Sequence, residues 1–235
     1  MMVDTHGAIS KVNPAFTRIT GYREDEVVGQ SPKLLSSGRH AEEFYRHLWR
    51  DLIKNDFWRG EIWNRRKSGE EFIELLSISA VRDEFGTVLH YIGVFSDITQ
   101  LKAHEDELDK IAHYDTLTGL PNRRLLNDRL GQALIRAQRE QSLLAVCFLD
   151  LDGFKSVNDQ HGHHIGDQLL IGVTGHLRNV LRANDTLARM GGDEFVILLS
   201  DIKNSMECMQ VLDRILLAAS HSVRVDEIVL QVSAS

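Results

Sequence analysis

Proline and cysteine are scarce in this chain, with three prolines and two cysteines among 235 residues. So few prolines, with no low-complexity tract, exclude a long proline-rich linker. Cys147 lies inside an apolar run and Cys208 in a helical stretch. They offer neither a spaced zinc pair nor a disulfide framework, and both read as small core residues. Long apolar runs are missing as well. The longest, Leu143 to Leu149, has seven residues, where a bilayer span needs about 20, so no membrane insertion by this chain is expected. Met1 to His6 lack the basic and apolar regions of a signal peptide, and a cytoplasmic location is the expectation. Basic charge is not in excess either. The formal net charge of −7 argues against a nucleic-acid partner, because phosphate binding calls for a positive field.

What remains is ordinary globular composition, 43% hydrophobic and 26% charged, in a length that suits one large or two small domains. The patterning changes near residue 100. Before it, a turn at Asp4-Thr5-His6-Gly7 separates two short extended segments. Asn13-Pro14 reads as an N-cap and first helical residue, and Gly21 as the end of that helix. Phe44, Leu48, Leu52 and Tyr45, Trp49, Ile53 then recur at helical spacing. Period two follows: Trp58, Gly60, Ile62, Asn64; then Phe72, Glu74, Leu76, Ile78, Ala80; then Val88, His90, Ile92, Val94. Turns at Lys67–Glu70 and Asp83–Gly86 join these runs into successive hairpins, hence an antiparallel sheet with short flanking helices.

Those residues carry a resemblance. Val12-Asn13-Pro14-Ala15-Phe16 with Ile19-Thr20-Gly21-Tyr22, Trp58-Arg59-Gly60-Glu61, Asn64 to Glu70 and the closing Asp97-Ile98-Thr99 resemble a PAS sensor domain over 1–99, its first strand clipped by the N-terminus. By that resemblance Trp58 and Asn64 sit where flavin-binding relatives hold their cofactor. A bound flavin, a haem on His40, His47 or His90, and an interior filled by its own side chains all remain open, the last favoured because aromatics fill the core of any domain.

Residues 100–113 contain no helix breaker. Leu101, Leu108 and Ile111 fall at heptad-compatible positions with His104 at the remaining seam site, and Asp106 and Lys110 form an i, i+4 pair. A solvated helix and a short parallel coiled coil joining two protomers are both compatible with this pattern. A rigid helix of this kind transmits rotation or register, as a flexible linker does not.

The second half carries the chemistry. Leu143–Leu149 reads as a buried strand delivering Asp150-Leu151-Asp152 to a sheet edge, where ligands bind in α/β folds. A helix is expected from Gly166-Asp167 to Leu181, then strands Thr186–Met190 and Phe195–Leu199 joined by the hairpin Gly191-Gly192-Asp193-Glu194. Gly191 and Gly192 permit positive φ and close approach of a phosphate, and Asp150 and Asp193 converge if the hairpin lies beside the first strand. Such hard oxygen ligands bind Mg²⁺ together with substrate phosphates. Taken alone, the pattern is equally compatible with an acidic turn in solvent.

Asp115 to Arg124, Asp150 to Asp159, Gly162 to Asp167 and Arg189 to Phe195 together resemble, in order and spacing, the GGDEF family of diguanylate cyclases. The resemblance implies Asp150, Asp193 and the Leu151 carbonyl as ligands of Mg²⁺ or Mn²⁺, and Asp193 as proton acceptor from the attacking hydroxyl with Glu194 beside it. It also implies Asn158 and Asp167 at the guanine edge, His163 as a further substrate contact, Lys155 on phosphate, and Arg182 and Asp185 as a product-inhibition site. GTP is the implied substrate and a homodimer, paired through the PAS domain and linker helix, the implied assembly. The expected architecture is therefore α+β then α/β in two domains: PAS over 1–99, a signalling helix over 100–113, and a nucleotidyl-cyclase-like domain with a mixed sheet over 114–235. The family pattern continues past Ser235, so the last helix and strand are expected to be lacking. The rival readings are a GTP- or cyclic di-GMP-binding module without turnover, an inactive fragment of a longer cyclase, or a dimerisation scaffold.

Overall fold

The structure, a computed structural model, describes residues 1–235. Strands β1 (Met2–Val3) and β2 (Ile9–Lys11) flank the first turn, where the Asp4 carboxylate accepts the amides of His6 and Ala8. Helix α1 (Pro14–Thr20) starts as its sequence dictates: Asn13 accepts the Phe16 amide, Pro14 occupies the first turn, and Gly21 closes the helix at φ 78°. Helix α2 (Glu24–Val27), a 3₁₀ turn at Pro32–Leu35 and α3 (Glu42–Asn55) follow. The long hairpins β3 (Phe57–Arg65), β4 (Glu71–Arg82) and β5 (Val88–Asp97) complete an antiparallel sheet in the order β2-β1-β5-β4-β3. Its inward face meets the helices through Phe16, Val27, Leu48, Ile62 and Leu76. Trp58 is packed edge-on against Phe44 and lies over Gly60, where a Cβ would sit 2.6 Å from the indole. Any larger residue at 60 would evict the ring.

Helix α4 (Thr99–His113) buries none of its residues. Contacts divide the chain into Met1–Asp106 and Glu107–Ser235, so the division falls within this helix.

In the second unit, α5 (Arg123–Glu140), capped by Asn122, leads into β6 (Leu143–Asp152). Helices α6 (Phe154–His161) and α7 (His163–Val180) follow, then the hairpin β7 (Thr186–Gly191) and β8 (Glu194–Ile202). Helix α8 (Ser205–Ala219), the small hairpin β9 (Val223–Val225) with β10 (Ile228–Leu230), and β11 (Ser233–Ala234) complete it. The main sheet runs β11-β6-β8-β7, and each of its pairings is antiparallel where a mixed sheet was expected. One face packs Leu149, Leu151, Phe195, Ile197 and Leu199 against α7 and α8. On the other, Leu126 and Leu130 of α5 cover Ala188, Val196 and Leu198.

Two local expectations change. Helix α7 begins at His163, a turn earlier than Gly166, because Gly162 at φ 84° ends α6 and starts α7 in a single residue. Nor is β6 buried on both faces: Val146 and Phe148 are 44% and 79% exposed. They pair with Leu198 and Val196 on the face that carries α5. Side chains alternate across a strand, so a continuous apolar run does not guarantee cover on both sides.

Candidate active site

The β7–β8 hairpin is built by its glycines. Gly191 has φ 138° and Gly192 φ 56°, both in the region that L side chains avoid, while Asp193 at the second loop position keeps an ordinary backbone. Beside it, β6 pairs with β8 in the register Leu149↔Phe195 and Asp150↔Glu194. The hairpin therefore does lie against the first strand, and Asp150 stands across the ladder from the residue that follows Asp193. On its other edge β6 is held by β11, with the Asp150 amide bonded to the Ser235 carbonyl at 2.9 Å and Leu151 opposite Ala234. Asp152 leaves this group, its carboxylate taken by the Ser233 and Ser235 hydroxyls at 3.1 Å each.

Nowhere do three His, Cys, Asp or Glu side chains converge as a ready-made metal cage. The residues that could hold a metal at this sheet edge are the two carboxylates expected from the sequence, Asp150 and Asp193, with the Leu151 carbonyl as a third oxygen donor. That set fits Mg²⁺, which demands few protein ligands and completes its shell with water and phosphate oxygens.

Helix α6 and the start of α7 carry the other expected site residues. Lys155 and His163 are exposed, Asp167 is half-buried, and Asn158 is half-buried with its Oδ1 enclosed and without a partner. A Cβ on Gly166 of α7 would lie 1.9 Å from that oxygen. The bare Gly166 backbone is thus what makes room for the Asn158 amide.

Arg182 and Asp185 share one loop. Asp185 Oδ2 accepts the Arg182 amide at 2.9 Å and its Oδ1 the Ser200 amide at 3.3 Å, while the Arg182 guanidinium pairs with Glu207 at 3.1 Å. A cavity of about 360 Å³ opens beside them, with Arg129 and Arg178 also in its wall.

A residue pair without an assigned role in the sequence ties this unit together. Arg189 Nη1 donates to both Asp115 oxygens at 2.9 and 3.1 Å, and its Nε and Nη2 donate to the Gly192 carbonyl at 3.0 and 2.7 Å. Burial pushes the Asp115 carboxyl up, but bonds from Thr118 and Arg189 outweigh it and hold the group below the usual carboxylate range. The guanidinium thereby braces the glycine turn against the segment that precedes α5. Both motifs stand in the sequence, yet nothing local pairs residues 74 positions apart. Replacing Arg189 by Ala is expected to cost about 2 kcal/mol of stability, the worth of charge-assisted hydrogen bonds in a largely buried setting, measured as a fall in the denaturant midpoint of this unit.

Trp58 and Asn64 both point into the first unit's interior. Trp58 fills the space over Gly60, and Asn64 is 7% exposed and bonds the Glu74 carboxyl. His40 accepts the Trp63 amide at 2.9 Å and is stacked on Phe44.

Comparisons with known proteins agree with this geometry. The family profile described as "Diguanylate cyclase, GGDEF domain" matches residues 112–235, and a PAS domain profile matches 1–100. The chain is 44% identical over 137 residues to the bifunctional diguanylate cyclase/cyclic di-GMP phosphodiesterase MucR of Pseudomonas aeruginosa, covering 58% of this chain and 20% of that protein. It is 33% identical over 153 residues to the diguanylate cyclase TpbB of the same organism, covering 65% and 35%. Among solved structures, the coiled coil and GGDEF domain of DgcB from Caulobacter crescentus, in complex with c-di-GMP, superposes with TM-score 0.51 at 26% identity, over 59% of this chain and 74% of that one. The chain spans between about a fifth and a third of the length of these curated relatives.

Proposed function

This chain belongs to the GGDEF family of diguanylate cyclase domains, here preceded by a PAS domain, and from that premise we propose that it condenses two GTP into cyclic di-GMP and two pyrophosphates. The observation that supports the reading most directly is the intact Gly191-Gly192-Asp193-Glu194 hairpin, registered so that Asp150 faces Glu194 across the ladder. Each domain holds one GTP, with the Lys155 ammonium on its phosphates, Asn158 and Asp167 at the guanine edge and His163 as a further contact. The backbone of Gly191 and Gly192 allows the phosphates to approach closely. Asp193, with Glu194 beside it, accepts the proton as the 3′-hydroxyl of one GTP attacks the α-phosphorus of the other. The bond to pyrophosphate breaks, and a second, symmetric displacement closes the ring. Mg²⁺ or Mn²⁺ bound by Asp150, Asp193 and the Leu151 carbonyl supplies charge neutralisation on the phosphates.

Two such half-sites must face one another, so the active assembly is a homodimer. Helix α4 supports this reading: Leu101, Leu108 and Ile111 are each more than half exposed along one heptad-spaced stripe. The PAS domain regulates through that helix. Arg182 and Asp185 bind the product in the adjoining cavity and restrain turnover, which requires Arg182 to exchange Glu207 for a phosphate.

The direct test incubates the protein with GTP and Mg²⁺ and separates nucleotides by chromatography. Cyclic di-GMP with two equivalents of pyrophosphate is expected. GTP binding without product would make this a regulatory binding module, and failure of both would overturn the reading. Gly166→Ala is expected to force the Asn158 amide from its place, costing about 1–3 kcal/mol by overpacking. GTP affinity then falls roughly tenfold or more, with a weakened preference over ATP in a competition titration.

A further inference from the structure

Glu74 is the one ionisable side chain lodged in the interior of the first unit. It is 3% exposed and its Oε2 has no partner. It belongs to the inward-facing set of β4, where its neighbours along the strand are Phe72 and Leu76, both buried. Two side chains bear on it from the flanking strands: Asn64 of β3, which bonds its carboxyl, and Asp97 of β5, which stands opposite it in the ladder and adds like charge.

Asp97 is also the root of α4. Its Oδ1 accepts the Thr99 amide at 2.9 Å, and its other oxygen is held by Arg66, a guanidinium that also reaches Glu70 and the Ile19 carbonyl and covers the Phe72 ring. The residue next to Glu74 completes the joint: the Ile73 amide donates to Thr99 Oγ1 at 3.0 Å, and the Ile73 carbonyl accepts the Ile98 amide at 2.9 Å. Strand β4 at 73–74 thus grips the first turn of α4 through side chain and backbone together.

We propose that Glu74 is a proton-operated element of this domain: neutral, it leaves Asp97 free to cap α4; ionised, it sets a second carboxylate beside Asp97 and loosens the first turn of the helix. The stimulus named by this arrangement is the proton itself. The geometry is supported by chemistry, since burial drives the Glu74 carboxyl up to about 7 and Asp97 pushes the same way, against the Asn64 bond. Ionisation places a charge in an apolar interior, answered only by the Asn64 amide and set against Asp97, whose carboxylate Arg66 already holds. Either Arg66 is drawn inward or Asp97 is displaced; each weakens the cap on Thr99.

The proposal stands apart from the cyclase reading, because its test needs no nucleotide. Hydrogen exchange at the amides of Thr99 to Ala103, corrected for intrinsic rates, is measured on the whole chain at about pH 5.5 and pH 8.5. Protection is expected to fall roughly fivefold at the higher pH, the loss of one hydrogen bond from the first helical amide to a carboxylate, and to be independent of pH in Glu74→Gln. Equal protection at both values, or a Glu74→Gln chain that keeps the pH response, would overturn it. Carbon-13 titration of the Glu74 carboxyl in the unmodified chain gives a second readout that does not depend on a variant folding. A midpoint in the range of an exposed glutamate would also sink the idea.

Discussion

Replacing Asp193 by Ala is expected to reduce cyclic di-GMP formation by at least about a hundredfold while leaving the fold unchanged. Asp193 makes no side-chain hydrogen bond or ion pair, and its backbone sits in ordinary space, so alanine introduces no strain there. The turn itself is secured by Gly191, Gly192 and the Arg189 bonds to the Gly192 carbonyl. What the substitution removes, on the proposed mechanism, is an oxygen ligand and a proton acceptor. Losing charge neutralisation on transferring phosphates costs several kcal/mol of barrier, and each 1.36 kcal/mol is a factor of ten in rate. Matched circular dichroism melts and a steady-state assay of pyrophosphate release would check both halves of the statement. A variant that keeps more than a tenth of the turnover would remove Asp193 from the proposed mechanism. Gly192→Ala serves as contrast: it leaves the carboxylate in place but imposes a side chain at φ 56°, so it is expected to lose stability as well as activity.

The stability of the first unit should fall by about 3 kcal/mol as pH rises from below 4.5 to above 7, on account of Glu74 alone. The sign follows from burial. The folded carboxyl titrates at about 7, against 4.5 for the ordinary group. Between those values the folded state keeps a proton that the unfolded chain has released, so stability is complete below the lower value and is lost as pH passes through the upper one. Other groups slope differently. Burial holds the His40 imidazole below its usual range, which favours the folded state as pH rises. Burial raises the Asp97 carboxyl, but Thr99 and Arg66 outweigh it and hold the group low, so its contribution is lost only in stronger acid. The discriminating quantity is therefore the difference between the unmodified chain and Glu74→Gln across the pH range, followed by urea unfolding of the first unit. That difference should move by about 3 kcal/mol in favour of the glutamine variant at high pH. A difference that stays flat would show that Glu74 ionises freely in the folded state.

The sequence was sufficient wherever a local rule decides the outcome. Asn13-Pro14 and Gly21 bracket α1 because an N-cap, a fixed φ and a left-handed residue act within a few positions of one another. The alternating runs from Trp58 to Val94 became consecutive hairpins because period two and short turns leave little else to build. The glycine hairpin and its carboxylates were legible for the same reason; the alternation also set Glu74 in register with Phe72 and Leu76, though its burial came only with the fold. Tertiary structure alone decided what depends on distance along the chain. The Asp150↔Glu194 register, the brace from Arg189 to Asp115, and the fit of Asn158 against Gly166 each join residues whose neighbours in sequence carry no trace of the partner. So did the open face at Val146 and Phe148, since an apolar run records what a strand prefers, whereas cover depends on which helix reaches it. Local propensities act over a turn or a hairpin; register, burial and charge pairing are fixed only when the whole unit closes.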